Sequence, residues 1–193
     1  MSVIESAAAT AGAHTGRLRF HERRIAAVLF TDIVGSAARA FDLGDRAWCE
    51  LLEEHDAIVR AELDVHEGNE IDSSDDGFFA SFEAASAAVA CALSVRESLS
   101  AIGLEIRGGV HVGEFERRGH RLGGIAVAVG ARIAGAARDG EILVSRTVRD
   151  LVLGSGLRFR DRGTHALKGI PGEWRLYGVE PGILVRSTSV SAS

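Results

Sequence analysis

Residues 25–30, Ile-Ala-Ala-Val-Leu-Phe, form an unbroken apolar run between the charged pair Arg23-Arg24 and the dipeptide Thr31-Asp32. The run is too short for a helix, and its flanks predict a strand buried on both faces. A loop holding Gly35 follows, and a helix begins after it. Over 45–65, Trp48, Leu51, Leu52, His55, Ile58, Val59 and Leu63 recur at helical spacing, which predicts an amphipathic helix with His55 packed on its apolar face. Gly68-Asn69 breaks it. Ile71-Asp72-Ser73-Ser74 reads as a strand, Asp75-Asp76-Gly77 as a tight turn, and residues 78–82 as the returning strand. An Ala-rich helix is predicted over 83–101, a glycine-containing strand over 104–114, and a polar turn or arm over 116–124. A helix over 125–137 carries Arg132. A strand at 141–144, a helix at 145–152 and strands near 157–160 and 174–179 complete the pattern, the last two joined by the loop Lys168-Gly169-Ile170-Pro171-Gly172.

Two stretches carry candidate chemistry. Strand, acid, glycine turn and helix start at Phe30-Thr31-Asp32-Ile33-Val34-Gly35-Ser36 are the parts of a phosphate and metal site. Open N–H groups at a helix start favour anions, and a carboxylate at a strand end can hold a hard cation that phosphates also bind. The structural alternative is an Asp that merely caps the helix. The hairpin supplies a second acid. If it lies beside the first strand, Asp76 comes close to Asp32, and two such carboxylates can bridge two Mg²⁺ or Mn²⁺ ions about 3.5–4 Å apart. The alternative for Asp76 is turn chemistry alone.

Composition narrows the class. The chain has 193 residues, 46% of them hydrophobic and 25% charged, enough for one α/β domain with a real core. A formal net charge of −5 disfavours broad nucleic-acid binding. The sequence has no apolar run of bilayer-spanning length and no secretory signal at its start, so a cytoplasmic protein is expected. Cys49 and Cys91 have no metal-ligand spacing and read as reduced thiols. Residues 1–22 read as a flexible leader or linker that includes the basic lead-in 17–24 in part, 23–181 as one domain, and 182–193 as a disordered tail.

Six motifs stand in order: Phe30-Thr31-Asp32-Ile33-Val34-Gly35-Ser36, Asp75-Asp76-Gly77-Phe78, Gly109-Val110-His111-Val112-Gly113-Glu114, Gly124 through Ala131-Arg132-Ile133, Gly140-Glu141-Ile142-Leu143-Val144-Ser145, and Leu167-Lys168-Gly169. With this set the chain resembles the catalytic domain of class III nucleotidyl cyclases, the adenylate and guanylate cyclase family, from about residue 25 to 179. The Trp174-Arg175-Leu176-Tyr177 ending is similar to a bacterial, notably actinobacterial, branch. The resemblance implies a ferredoxin-like α/β (α+β) sandwich working as a head-to-tail homodimer with active sites at the interface. It implies two Mg²⁺ or Mn²⁺ ions on Asp32 and Asp76, with Ile33 as a further metal contact. It implies phosphate contacts from Ile33, Val34, Gly35, Ser36 and Lys168, and transition-state stabilisation by Arg132. Arg132 and Lys168 would come from the subunit opposite the metal site. The implied substrate is a nucleoside triphosphate, ATP foremost, converted to cyclic AMP and pyrophosphate.

The chain also departs from the family pattern. Asp72 stands where the family has a base-selecting lysine, and Arg121 at the second base-selecting position. Ala128 replaces the asparagine four residues before the catalytic arginine, and Asp75 replaces the glycine before the second metal aspartate. Asp72 and Arg121 either pair across the interface or leave a pocket that reads the base through backbone groups and Arg121. Two functions follow: a purine nucleotidyl cyclase with a non-standard base pocket, or a weak or inactive homologue that binds nucleotide or mediates dimerisation in signalling.

Overall fold

A computed structural model describes residues 23–74, 76–118 and 121–180, without the side chains of 117, 118, 121 and 122. The leader, the tail and Asp75 lie outside the described residues. Strand β1 (Arg23–Ile33) is followed by helices α1 (Ser36–Leu43) and α2 (Asp45–Val65). The hairpin β2 (Asn69–Ser74) and β3 (Gly77–Phe82) comes next, and then α3 (Ala85–Ala101). Strand β4 (Ile106–Arg118) turns into the short β5 (Arg121–Gly123), which leads to α4 (Ile125–Ala136). Strand β6 (Ile142–Ser145), helix α5 (Arg146–Leu151) and the hairpin of β7 (Phe159–Ala166) and β8 (Glu173–Val179) end the fold. The strands form one sheet in the order β2-β3-β1-β4-β6-β8-β7, and β5 pairs with β4.

Strand β1 lies between β3 and β4, antiparallel to both. Its alternation sends Ala27, Leu29 and Ile33 into the larger core, with Phe78, Phe82, Val89, Ala92, Leu99 and Ile106. Ala26, Val28 and Phe30 go to the other face, with Phe79, Val127, Ala131 and Ala134. Phe30 and Phe79 stack at 4.4 Å with planes 9° apart, an aromatic pair worth roughly 0.5–1.5 kcal/mol beyond its buried area. On that second face α4 approaches the sheet closely. A Cβ on Gly109 would lie 2.2 Å from the Ala134 backbone nitrogen, so only glycine lets the helix settle there.

Most elements lie where the sequence predicts them. In the polar 116–124 stretch, predicted as a turn or arm, residues 116–118 end β4 and pair antiparallel with β5, while 119 and 120 lie outside the described residues. The strand predicted at 157–160 starts at Phe159 and runs on to Ala166, because its pairing with β8 does not depend on an apolar alternation. His55 is packed as expected. It is fully buried, its Nδ1 lies 3.1 Å from an Asp56 carboxylate oxygen, and its ring tilts against Phe78 at 5.6 Å. Burial lowers its pKa, and the Asp56 hydrogen bond only partly offsets this.

Candidate active site

Backbone register brings the two acids together. Asp32, 3% exposed, sits opposite Gly77 at the end of β1. A Cβ on Gly77 would lie 2.3 Å from the Thr31 carbonyl oxygen, so the close start of β3 requires glycine. Asp76 is the residue before it. The Ile33 N–H donates to the Asp76 carbonyl at 2.7 Å, which fixes the turn against the strand end. The hydroxyls of Ser36 and Ser74 donate to the two carboxylate oxygens of Asp76, at 3.0 and 3.1 Å. Ser36, a predicted phosphate contact, thus spends its side chain on Asp76, and only its backbone N–H remains for an anion.

Gly35 caps α1 in the left-handed region, at φ 66, with no side chain closing the helix start. The first intrahelical bond runs from the Arg39 N–H to the Gly35 carbonyl. The N–H groups of Ser36 to Ala38 therefore have no partner within the helix.

Arg107 was not foreseen from the sequence. It lies opposite Asp32 on β4, and its Nε and Nη2 both donate to Asp32 Oδ2, at 2.8 and 2.5 Å. Both donors converge on one oxygen, a charge-assisted contact that holds that side of the carboxylate. The only signal was an arginine at the head of a strand, 75 residues from its partner.

The donors that the sequence reading assigns to a metal are the Asp32 and Asp76 carboxylates and the Ile33 carbonyl. All are oxygens, which suits Mg²⁺ or Mn²⁺. Among the described residues no cluster of three or more potential metal ligands forms. Two carboxylates leave most of an octahedral shell to water or phosphate oxygens, the usual arrangement where the metal is bound together with its substrate.

Arg132 and Lys168 form a second pair. The half-buried Arg132 donates from Nε to the Lys168 carbonyl at 3.0 Å, and the lysine side chain is exposed. Leu167 and Ile170 anchor the loop on Ile133 and Leu176, and Trp174 Nε1 donates to the Pro171 carbonyl at 3.2 Å. His111 supports this part from below. It is 6% exposed, bonded to the Ser145 hydroxyl at 2.8 Å and set edge-on to Trp174, and burial pushes its pKa down to about 4.

Strand direction separates the two pairs. Gly108 is level with Ile142, and Leu143 with Gly178, so β8 ends beside the Asp32 end of the sheet and begins at the other. Its seven residues span about 20 Å at roughly 3.3 Å each. The loop carrying Lys168 opens from that far end.

Asp72 is exposed and accepts from the Ser73 N–H at 3.1 Å. It pairs with Phe79, which pairs with Phe30, so it shares a sheet face with Asp32. The Arg121 side chain lies outside the described residues, but its backbone pairs with Arg118. Phe30 is level with Gly109, nine residues earlier on β4, or about 30 Å away. An Asp72–Arg121 pair within one chain is therefore excluded, which leaves open both a pair between chains and a pocket read through backbone groups and Arg121. Ala128 is 2% exposed, under the α4–sheet contact.

The architecture is shared with known cyclases. The adenylyl cyclase CyaB from P. aeruginosa superposes with a TM-score of 0.76 at 23% identity, covering 83% of this chain and 96% of that one. The guanylate cyclase domain of RhGC from Catenaria anguillulae, solved with GTP, gives 0.74 at 18% identity, covering 82% and 98%. In sequence, the chain is 37% identical over 113 residues to an uncharacterized protein of Mycobacterium tuberculosis, covering 56% of this chain and 39% of that protein. It is 28% identical over 158 residues to a proposed adenylate cyclase of Rhizobium meliloti, covering 77% and 27%. The chain thus spans well under half the length of these relatives. Comparison with protein-family models gives no match. The fold is that of the class III adenylyl and guanylyl cyclase catalytic domain. Among the described residues, no helix is long and apolar enough to cross a membrane.

Proposed function

We propose that the chain is a metal-dependent nucleotidyl cyclase domain that closes ATP to cyclic AMP and pyrophosphate in a head-to-tail dimer. The observation that carries this reading is the pairing of Asp32 with Asp76 at the open start of α1. A fold alone has no need to hold two carboxylates together beside unpartnered N–H groups.

Asp32, Asp76 and the Ile33 carbonyl would hold the two ions, Mg²⁺ or Mn²⁺. When bound, these ions lower the pKa of the ribose 3′-hydroxyl and neutralise phosphate charge. Ser36 and Ser74 orient the Asp76 carboxylate, and Arg107 orients that of Asp32. The N–H groups of the 33–36 turn would receive the triphosphate. The 3′-oxygen attacks the α-phosphorus, its proton leaves to solvent, and the bond to the pyrophosphate oxygen breaks. Arg132 would stabilise the charge that develops on the phosphoryl oxygens, and Lys168 would bind the departing phosphates. The opposite ends from which the two pairs arise favour their meeting only between subunits.

At the base positions the chain departs from the family pattern. An ionised Asp72 offers no donor and Arg121 no acceptor. Weak base selectivity is expected, and GTP stays open as a substrate. The departures at Asp72, Arg121 and Ala128 favour the second reading, a homologue that binds nucleotide without turnover. The deciding experiment incubates the purified protein with Mn²⁺ and ATP, GTP, CTP or UTP in turn. A cyclic product from a purine nucleotide is expected. Absence of any cyclic product, from protein that still binds nucleotide, leaves the non-catalytic reading.

A further inference from the structure

A cavity of about 420 Å³ lies where β6 begins and β8 stops, at the same end of the sheet as Asp32 but across β4 and β6 from it, and neither Asp32 nor Asp76 lines it. Arg96 from α3, Arg138 after α4 and Arg160 from β7 converge on it. Among the described residues, none of these three guanidinium groups makes a hydrogen bond or an ion pair. The lining also includes Glu141, Asp139 and Glu180. Glu141 is already committed. Its Oε1 lies 2.8 Å from Arg162 Nε in a pair that is 12% and 18% exposed, and its Oε2 accepts from the Arg138 backbone N–H at 3.1 Å. A Cβ on Gly178 would lie 3.0 Å from Glu141 Oε1, so glycine keeps the floor open.

Three arginines gathered at one cavity with no side-chain hydrogen bond among the described residues are unexpected in a chain of net charge −5. They repel one another, and Arg96 is half-buried, where desolvation lowers its pKa and the neighbouring Glu97 only partly offsets this. Guanidinium forks match phosphate oxygens two at a time, and a concave cationic lining concentrates anions. The volume lies within the range of small-molecule pockets, larger than a single phosphate needs. Asp139 and Glu180 at the same cavity can accept hydrogen bonds from hydroxyl groups. We propose that this cavity is a binding site for a small phosphate ester with hydroxyl donors, separate from the nucleotide site. The phosphate lies among Arg96, Arg138 and Arg160, and the hydroxyls turn towards Asp139 and Glu180.

The test is calorimetric titration of the metal-free full chain, in EDTA, with ribose 5-phosphate as the probe. Ribose and citrate are the controls. Saturable binding tighter than about 1 mM is expected. It should be at least tenfold weaker in Arg138→Gln/Arg160→Gln, two exposed positions where the fold should tolerate the change, and unchanged in Asp76→Asn. No response to ribose is expected. Binding that survives the double substitution, citrate binding as tight as the ester, or no saturable binding at all would each overturn the proposal. The single variant Arg160→Gln replaces the double one if the latter melts early. None of these readouts depends on turnover, so an inactive cyclase domain leaves the test intact.

Discussion

The two ends of the sheet are built in opposite ways. At the Asp32 end, both acids are tied in place: Asp32 by two donors of Arg107, and Asp76 by two hydroxyls on its carboxylate and the Ile33 N–H on its backbone carbonyl. At the Lys168 end, one bond ties the Arg132 side chain to the Lys168 backbone carbonyl, and the lysine side chain is exposed. A carboxylate pair must be fixed before a metal arrives, because two anions at close range repel and would otherwise turn apart. Two cations that serve a ligand arriving from outside need reach more than rigidity. The difference suits two half-sites, one prepared for ions and one for a nucleotide brought against it.

The comparison is broken most directly by removing a carboxylate. Asp32→Ala or Asp76→Ala should abolish cyclic product, a loss larger than the roughly 10²–10³ supplied by one oriented hydrogen-bond donor. Mn²⁺ titration of each variant should show the lost affinity. Unchanged turnover in either variant would refute the two-ion assignment. The next effect comes from mixing. Asp32→Ala and Arg132→Ala proteins, each inactive alone, should regain part of the activity together, since one of two composite sites then has all its groups. If subunits are seen to exchange and no activity returns, the ends do not meet between chains.

How much of this was legible in the sequence depended on the range of the interaction. Helix α2 was readable to its ends because Trp48, Leu52, His55, Val59 and Leu63 repeat on one face within a single element. The hairpin was readable because Asp76-Gly77 is a local turn signal, and once β3 was laid beside β1 the meeting of Asp32 and Asp76 followed. Arg107 was hidden because nothing local marks it, and its partner is set by the β1–β4 register. Strand β7 was read short because Arg160, Asp161, Arg162 and His165 give no apolar alternation on an edge strand. The Asp72–Arg121 question was narrowed by strand length alone, which no motif contains.

A smaller effect is expected from the base positions, which lie at distant levels of the fold. Asp72→Lys with Arg121→Asp would restore the family polarity. The substitution should raise turnover and shift the ratio of product from ATP and GTP towards ATP by several-fold, since sites built on specific hydrogen bonds reject ligands that leave buried groups unpaired. A wild-type protein that already strongly prefers ATP would contradict the account and move base recognition to the backbone.

The last effect separates the two ends by pH. His111 binds a proton in the folded chain only near pH 4, against an ordinary value of 6.5, because burial disfavours its charged form. Between those values the unfolded chain holds the extra proton. Its contribution to stability is therefore complete above pH 6.5 and is lost as pH falls towards 4. At 1.36 kcal/mol per pH unit the loss totals about 3 kcal/mol. His55 acts in the same direction, so its effect adds to the slope. His111 bonds to Ser145 and touches Trp174, whose indole holds the Lys168 loop through Pro171. The Lys168 end should therefore loosen first. Denaturant unfolding at pH 7.5 and 4.5 should show the loss, and His111→Gln should remove about half of it. Hydrogen exchange at pH 5 should rise in residues 167–174 before it rises in 30–34. Equal protection of both segments, or a His111→Gln slope as steep as that of the wild type, would mean that this imidazole does not support the loop.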